Sequence, residues 1–287
     1  MHANAGDAPA TRQVSIIVAV RNGAATLQRC LDSIAAQELA SRETIVIDGA
    51  STDGTRELLE RNLRAGTIAD YLSEPDRGVY DAWNKGLQRS SGQWICFMGC
   101  DDVFHDASAL RELVEQGDRA GAQSRVVYGR IRRVTASGML VEAFGAPWAQ
   151  SREGFLAGVN IPHCGTLHHR TLFEERGKFD ASYRIAGDYE LLLRELPERP
   201  PAFVDHVVVD MSLGGLSSRP GTIYVALREV ARARAACGLR GTPARLRAAL
   251  AFAWAGAWVY RVLGERAYRQ LADLYRVLRG RPKIWTV

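Results

Sequence analysis

The sequence predicts an α/β protein with a mostly parallel sheet flanked by helices, followed by a helical C-terminal extension. Short apolar, β-branched runs alternate with helical segments of about ten residues, which is the pattern of a parallel doubly wound sheet. The run that begins at Trp94 continues without a polar residue to Met98, as in a strand covered on both faces. Near the C-terminus, the uncharged segment Ala248–Tyr260 is bounded by arginines and indicates a helix.

The first half of the chain supplies the strands of the parallel sheet. Strands are expected at Val14–Val20, Thr44–Ile47, Asp70–Ser73 and Trp94–Met98, and helices around Leu31 and at Glu57–Asn62, Val79–Arg89 and Ala109–Gln116. Carboxylates follow these strands, at Asp48, Glu74, Asp76, Asp101 and Asp102. Because open α/β sheets bind ligands at the carboxyl ends of their strands, this pattern favours a hydroxyl-rich ligand and a metal ion. No G-x-G-x-x-G follows the first strand and no P-loop occurs, so hydride-transfer and P-loop functions lose their main support.

The second half changes character after the acidic pair. Val126–Val134 and Met139–Phe144 predict a hairpin around Ser137-Gly138 that widens the sheet. Ile161–Arg170 predicts a further strand. In an extended chain it would place His163 and His169 on one face and His168 on the other, a spacing that disfavours zinc. A helix is expected over Tyr189–Leu193, directly after Asp188.

Length and composition are those of one large α/β domain with an appendage. The chain has 287 residues, of which 47% are hydrophobic and 24% charged. Its five cysteines are odd in number and form no C-x-x-C pair, which favours buried thiols in a reducing cytoplasm over a disulfide scaffold. Residues 1–13 are predicted to be a flexible leader, because they lack the apolar core of a secretion signal.

Charge is distributed unevenly along the chain. Residues 219–287 contain 14 Lys and Arg against 3 Asp and Glu, a net charge of +11, so residues 1–218 carry −6 of the total of +5. An acidic body with a basic tail, and without a zinc-finger or RNA-recognition motif, is not typical of a nucleic-acid-binding protein. We therefore expect no nucleic-acid partner.

The adjacent carboxylates Asp101 and Asp102 are the first candidate site. Two neighbouring carboxylates repel each other unless a positive charge lies beside them, and a divalent cation that also holds a phosphate supplies that charge. The alternative is that Asp102 belongs to the N-terminal cap of the helix at Ala109–Gln116.

Four motifs, in order along the chain, resemble those of one enzyme family. VAVRNGAATL, VIDGASTDGT, SEPDRGVYDAWNKG and the strand ending in CDD are similar to the family 2 inverting glycosyltransferases of the GT-A fold, notably bacterial enzymes of polysaccharide and lipopolysaccharide synthesis. The resemblance runs from Val14 to Leu216. It implies a catalytic domain over residues 14–218, with a nucleotide-binding half (14–105) and an acceptor half (106–218), and leaves residues 219–287 as a basic helical extension.

The resemblance also implies roles for residues of the donor site. The nucleotide and donor would be contacted by Val20, Arg21, Asp48, Ser51, Arg77 and Asp101. Asp102 would bind Mg²⁺ or Mn²⁺. Arg21 either stacks on the base or pairs with a carboxylate, and Arg77 either contacts the diphosphate or forms a surface turn with Asp76. Many relatives have a second aspartate where this chain has Gly49, so the base remains open among UDP, GDP and dTDP.

On the acceptor side, the resemblance makes Asp188 the general base that removes the proton of the acceptor hydroxyl. The alternative is that Asp188 only caps a helix, assisted by Glu190. His163 is expected either to organise the acceptor or to make a buried hydrogen bond. Met211–Arg219, with its paired glycines, is either a lid over the donor or a linker.

These features predict a metal-dependent inverting glycosyltransferase that adds a single sugar to a hydroxyl of a glycan or lipid-linked acceptor. The Q-x-x-R-W signature of processive synthases is absent. The alternatives are a sugar nucleotidyltransferase and an inactive relative that serves as a membrane-associated assembly partner. Ala248–Tyr260 is too short to span a bilayer, so the tail is expected to lie on an anionic membrane at the inner face, to form a homodimer interface, or to pack on its own core.

Overall fold

The computed structural model describes residues 13–135, 138–215 and 222–278, together with 280, 283 and 286. The strands are β1 (Val14–Val20), β2 (Arg42–Asp48), β3 (Asp70–Ser73), β4 (Trp94–Gly99), β5 (Val103–Phe104), β6 (Val126–Val134), β7 (Leu140–Phe144), β8 (Leu167–His169) and β9 (Ala202–Ser212). The α-helices are α1 (Leu27–Ala35), α2 (Thr55–Arg64), α3 (Val79–Arg89), α4 (Ala109–Ala120), α5 (Trp148–Leu156), α6 (Arg170–Arg176), α7 (Gly187–Glu195), α8 (Ile223–Ala236) and α9 (Ala244–Leu278).

One sheet contains all the described strands, in the order β3-β2-β1-β4-β8-β6-β9-β5, with β7 paired to β6. The four strands of the first half are parallel, as predicted. In their register, Val20 lies opposite Asp48, Asp48 opposite Ser73, and Ala19 opposite Gly99. The carboxyl ends of four strands are therefore level, and the loops that follow them emerge at one edge of the sheet.

The sheet is covered by helices on both faces because the side chains of its strands alternate. On β1, Ile16 and Val18 pack with residues of α1 and α4, whereas Ile17 packs on the opposite face with residues of α3 and α7. All three side chains are buried. This two-sided burial explains the continuous apolar runs in the sequence.

The second half adds strands in both directions. β6 pairs with β7 in antiparallel fashion, which confirms the predicted hairpin, although residues 136–137 of its turn lie outside the described residues. β6 is parallel to β9 and antiparallel to β8. The sequence analysis did not anticipate β9, whose valine-rich run lies between β6 and β5.

The predicted strand over Ile161–Arg170 is wrong for most of its length. Only Leu167–His169 is a strand. Pro162 removes a backbone donor, and Gly165 has a φ of 76°, which an extended strand does not allow. The chain instead turns, with the Thr166 N–H donating to the His163 carbonyl at 3.0 Å.

The C-terminal extension is helical, as predicted. α9 is broken at Gly264 (φ 82°, ψ 175°), and its two parts pack together, with the rings of Tyr260 and Tyr268 5.9 Å apart. Trp254 and Trp258 remain 61% and 58% exposed. In the described part of the chain, none of the helices combines the length and the apolar character that crossing a bilayer requires.

Candidate active site

Asp48, at the end of β2, organises the loops at the sheet edge. Its carboxylate is inaccessible to solvent and accepts hydrogen bonds from the Ser51 backbone N–H, from the Ser51 hydroxyl and, at 2.6 Å, from the Ser73 hydroxyl. The Ser51 hydroxyl oxygen in turn accepts from the backbone N–H of Asn22 at 2.6 Å. Asp48 and Ser51 thus hold together the loops that follow β1, β2 and β3. Val20 ends β1 beside them and is 4% exposed.

Two residues in these loops adopt left-handed backbone conformations although neither is glycine. Asn22 has a φ of 53° and Ala50 a φ of 57°. The Asn22 side-chain oxygen accepts from the Thr52 N–H at 2.9 Å, which supports the tight turn. Asp53 accepts from the Ala24 N–H at 3.0 Å and from Thr55, so it anchors the loop structurally.

The space beside Gly49, where a side chain would lie, is occupied by a carboxylate from another loop. A Cβ on Gly49 would lie 2.5 Å from Asp76 Oδ2 and 3.4 Å from Arg21 Cδ. The carboxylate of Asp76 therefore lies in the space that an aspartate at position 49 would occupy. Asp76 Oδ1 also accepts from the Gly78 N–H at 2.9 Å. Arg21 is exposed next to this carboxylate.

Arg77 pairs with Asp81 rather than with Asp76. Its guanidinium lies 2.9 Å from Oδ1 of Asp81, which is in the first turn of α3, and its side chain is 78% exposed. The hydrogen bond and charge of Asp81 raise the pKa of Arg77. The exposed Arg77 lies in the surface turn that Asp76 and Gly78 close directly before α3, and its charge is paired with Asp81.

Asp101 and Asp102 follow β4, and their carboxylates fold back over Gly99. A Cβ on Gly99 would lie 2.9 Å from Asp101 Oδ1 and 3.0 Å from Asp102 Oδ2, so these two oxygens are within about 6 Å of each other. Asp102 is 8% exposed. Burial and, second, the charge of Asp101 raise the pKa of Asp102 to about 7.

The partners of Asp102 exclude the helix-cap interpretation. Its oxygens accept from the Cys164 thiol at 3.1 Å and from the Ser212 N–H at 3.2 Å. The N-terminal residue of α4 is instead preceded by Ser108, whose N–H and hydroxyl donate to Asp106.

A divalent cation fits this arrangement. Among the described residues no group of three or more His, Cys, Asp or Glu side chains forms a ready-made metal cage. Mg²⁺ and Mn²⁺ at nucleotide sites need fewer protein ligands, because one or two carboxylates suffice when phosphate oxygens and water complete the coordination. Because Gly99 has no Cβ, the position that lies 2.9 Å from Asp101 Oδ1 and 3.0 Å from Asp102 Oδ2 is left unfilled.

Asp188 lies in the first turn of α7, at the other end of the site. Its Oδ1 is 2.9 Å from the Tyr80 hydroxyl and its Oδ2 accepts from the Asn160 amide at 2.9 Å. Burial raises the pKa of this carboxyl, against the opposing effect of the Tyr80 hydrogen bond. The N-cap residue is Ala186, which makes no side-chain cap, so the interpretation of Asp188 as the cap is wrong. Gly187 permits the arrangement, since a Cβ there would lie 2.8 Å from the Tyr80 ring.

A five-residue segment, Asn160–Cys164, connects the two acidic groups. Its first residue binds Asp188 and its last residue binds Asp102. The Cα atoms of Asn160 and Cys164 are four peptide units apart, so even in a fully extended chain they would be separated by at most about 14 Å. Asp102 and Asp188 are 86 positions apart in the sequence. The two ends of this one short segment nevertheless hold both carboxylates.

His163 lies within this segment but inside the protein. It is 8% exposed, its ring lies 5.3 Å from that of Trp83, and burial lowers its pKa to about 3. The expected alternation of the histidines is wrong, because His163 and His168 are neighbours, with ring centroids 5.0 Å apart. His163 Nε2 has no hydrogen-bond partner among the described residues, so the expected buried hydrogen bond is not made by that atom. His169 lies apart and caps α6.

Sequence reasoning missed four residues that hold these groups: Tyr80, Asn160, Cys164 and Ser212. Tyr80 belongs to the core-facing stripe of α3, which is visible in the sequence, but its contact with Asp188 spans 108 positions. Ser212 reaches the acidic pair because β9 pairs with β5, which begins directly after Asp102, and the Ser212 hydroxyl donates to the Asp101 carbonyl at 2.7 Å. No local pattern in the sequence marks Asn160 or Cys164.

Known proteins resemble this chain in sequence and in fold. Residues 15–167 match the profile of the family described as "Glycosyl transferase family 2". A "PGL/p-HBAD biosynthesis glycosyltransferase" of Mycobacterium tuberculosis is 33% identical over 215 residues, which are 71% of this chain and 78% of that one.

Two solved structures share the fold at 18% sequence identity. The mannosyltransferase PcManGT of Pyrobaculum calidifontis, in complex with GDP-Man and Mn²⁺, has a TM-score of 0.62 and is matched over 93% of this chain and 82% of its own. Residues 1–349 of S. aureus TarS, in complex with UDP-GlcNAc, have a TM-score of 0.61 over 84% of this chain and 71% of that one.

Proposed function

Because this chain belongs to glycosyltransferase family 2 and has the GT-A fold, we propose that it is a metal-dependent inverting glycosyltransferase that moves one sugar from a nucleoside-diphosphate donor to a hydroxyl of a glycan or lipid-linked acceptor. The observation that carries the proposal is the pairing of two carboxylate groups through Asn160–Cys164. Asp101 and Asp102 would serve the diphosphate side, and Asp188 the acceptor side.

The donor would bind at the carboxyl ends of β1 to β4. Asp48 and Ser51 support the loops that would line the base and ribose, with Val20 and Arg21 beside them. Asp102 would hold Mg²⁺ or Mn²⁺, and Asp101 the ribose or the water shell of the ion. The bound ion would neutralise the diphosphate as it leaves. Arg77, exposed at the N-terminus of α3, would reach the diphosphate only after releasing Asp81, so we assign it an accessory contact.

Asp188 would act as the general base. The acceptor hydroxyl attacks the anomeric carbon on the face opposite the diphosphate, and its proton passes to an Asp188 carboxylate oxygen. The bond between the anomeric carbon and the diphosphate oxygen breaks, and its electron pair leaves with the diphosphate. Tyr80 and Asn160 orient the carboxylate and contribute hydrogen bonds to it. Burial raises the pKa of Asp188, which makes it a stronger base than an exposed aspartate.

A lipid-linked acceptor at the inner face of the cell membrane would explain the extension. Trp254 and Trp258 are one turn apart on α9 and exposed, and arginines at 245, 247, 261 and 266 are exposed near them. Aromatic rings beside arginines are typical of helices that lie in anionic lipid surfaces. A homodimer formed through this face would bring like charges together, so we favour lipid. The free cysteines fit a reducing cytoplasm.

A thermal-shift screen of UDP-, GDP- and dTDP-sugars, with and without Mn²⁺, tests the proposal. A ligand that binds the folded state raises the melting temperature, so one donor should do so in a manner that depends on Mn²⁺. That donor is then incubated with acceptors, and the anomeric configuration of the product is determined by NMR. Release of pyrophosphate from a nucleoside triphosphate and a sugar phosphate would identify a nucleotidyltransferase instead. No shift with any donor would support an inactive relative.

A further inference from the structure

Helix α8 holds the loop that carries Asp188. The Glu229 carboxylate, on α8, accepts hydrogen bonds from three consecutive backbone N–H groups: Arg184 at 2.8 Å, Ile185 at 2.8 Å and Ala186 at 2.9 Å. These residues immediately precede α7. Because Ala186 provides no side-chain cap, Glu229 supplies from another helix the negative charge and the acceptors that the start of α7 requires.

A second side chain of α8 contacts the same loop. The Arg232 guanidinium lies 3.5 Å from the centroid of the Tyr183 ring and donates to the Ser182 hydroxyl at 3.0 Å. With the bonds of Glu229, these contacts fix every residue from 182 to 186. α8 therefore restrains the loop continuously up to the helix turn that contains Asp188.

The two hydrogen-bond partners of Asp188, Tyr80 and Asn160, also lie near residues that α8 contacts. The Tyr80 hydroxyl lies 2.9 Å from Asp188 Oδ1 and 2.5 Å from the Ile185 carbonyl, while Glu229 holds the Ile185 N–H. On the opposite side, Val230 of α8 lies against Gly158, where an added Cβ would be 2.9 Å from Val230 Cγ1. Gly158 is two residues before Asn160. α8 thus contacts the chain on both sides of the Asp188 carboxylate.

We propose that α8 is part of the catalytic unit and that Glu229 is a positioning residue for Asp188. α8 lies beyond residues 15–167, which match the family profile, and beyond the part of the chain in which the acidic motifs occur. The inference rests on the proposed role of Asp188 as the base. A carboxylate misplaced by about 1 Å can lower the rate about 100-fold, so loss of the three bonds from Glu229 acts on the rate through Asp188.

The test compares Glu229→Ala, Glu229→Gln and wild type in steady-state transfer assays, with the donor identified by the thermal-shift screen. The proposed donor site lies at the carboxyl ends of β1 to β4, whereas the Glu229 carboxylate accepts from residues 184–186, before α7. We therefore expect kcat to fall about 10- to 100-fold in Glu229→Ala while the donor KM changes less than about twofold. Glu229→Gln keeps one carbonyl acceptor and should be intermediate. Glu265→Gln is the matched control, since the Glu265 carboxylate pairs with Arg269 on the surface of α9.

Three outcomes are distinguishable. An unchanged kcat in folded Glu229→Ala, with only a lower melting temperature, would overturn the positioning role. A rise in donor KM equal to the fall in kcat would overturn it as well, because the effect would then not be specific to the base. If Glu229→Ala does not fold, the same comparison of kcat with donor KM in Glu229→Gln decides the positioning role. An Asp188→Asn enzyme as active as wild type would instead refute the proposed base, whatever the Glu229 variants do.

Discussion

The Cys164 thiol donates a hydrogen bond to Asp102 Oδ2 at 3.1 Å, so a cysteine from the segment before β8 supports the proposed metal ligand that follows β4. The thiol is buried, and burial, followed by the charge of Asp102, raises its pKa well above the ordinary value. It therefore stays protonated and remains a donor at neutral pH. This contact leads to the first prediction.

Cys164→Ala should weaken Mn²⁺ binding about 10-fold, because partners that orient a ligating carboxylate typically contribute 10- to 100-fold to metal affinity. Cys164→Ser keeps a donor and should bind Mn²⁺ nearly as wild type does. The free Mn²⁺ signal in EPR titrations, in the presence of nucleoside diphosphate, measures the affinity. Cys237→Ala, on α8's C-terminal side, is the control. Equal affinities of the Ala variant and wild type would contradict the role of the thiol.

Asp188→Asn should lower kcat about 100- to 10,000-fold, the range that general bases contribute. The same change should stabilise the fold at neutral pH. Because burial raises the pKa of Asp188, the folded protein binds this proton more tightly than the unfolded chain does. The stabilisation from protonation is complete below the unfolded-state pKa of about 3.9 and is lost as the pH rises through the folded-state value. Asparagine avoids this loss.

The melting temperature of Asp188→Asn relative to wild type should therefore increase as the pH rises above about 4. Asn160 Oδ1 has no hydrogen-bond partner among the described residues. Once the side chains reorient, the amide of the new asparagine can donate a hydrogen bond to this atom. Asp118→Asn, an exposed position on α4, should show no such trend. A difference between variant and wild type that does not depend on pH would argue against a buried, ionised carboxylate.

Gly49→Asp should destabilise the fold by about 1–3 kcal/mol, because its Cβ would lie 2.5 Å from Asp76 Oδ2. The clash and the like charges disappear when Asp76 is also replaced. In urea unfolding, Gly49→Asp/Asp76→Gly should therefore be less destabilised than the sum of the single variants. Strict additivity would show that the two positions do not compete for one space.

The protein should co-sediment with vesicles that contain anionic lipid and should not co-sediment with neutral vesicles. Each basic residue near such a surface contributes about 1 kcal/mol, and high salt should weaken the binding. The double variant Trp254→Ala/Trp258→Ala should remain largely in the supernatant, whereas Leu63→Ala, which changes an exposed residue of α2, should behave as wild type. Protein that stays in the supernatant with anionic vesicles would refute the lipid surface, and a concentration-dependent mass in analytical ultracentrifugation would favour the homodimer.

The strands and helices of the nucleotide half follow from local patterns. Val14–Val20, Asp70–Ser73 and Val79–Arg89 have the predicted bounds because apolar period, turn residues and caps all lie within a few positions of each element. The position of the acidic pair after β4 follows in the same way, since the strand and the carboxylates are adjacent in sequence. The strand expected over Ile161–Arg170 failed because Pro162 and Gly165 outweigh its apolar character.

By itself, the sequence determined which carboxylates end strands, where the chain turns helical, and that its basic charge lies in the last quarter. Only the tertiary structure decided which groups hold those carboxylates: Tyr80 and Asn160 at Asp188, Cys164 and Ser212 at Asp102, and Glu229 before α7. The physical reason is the range of the interactions. Periodicity and capping act over a few residues, whereas these hydrogen bonds join positions 28 to 110 residues apart and exist only after the sheet and its helices have packed.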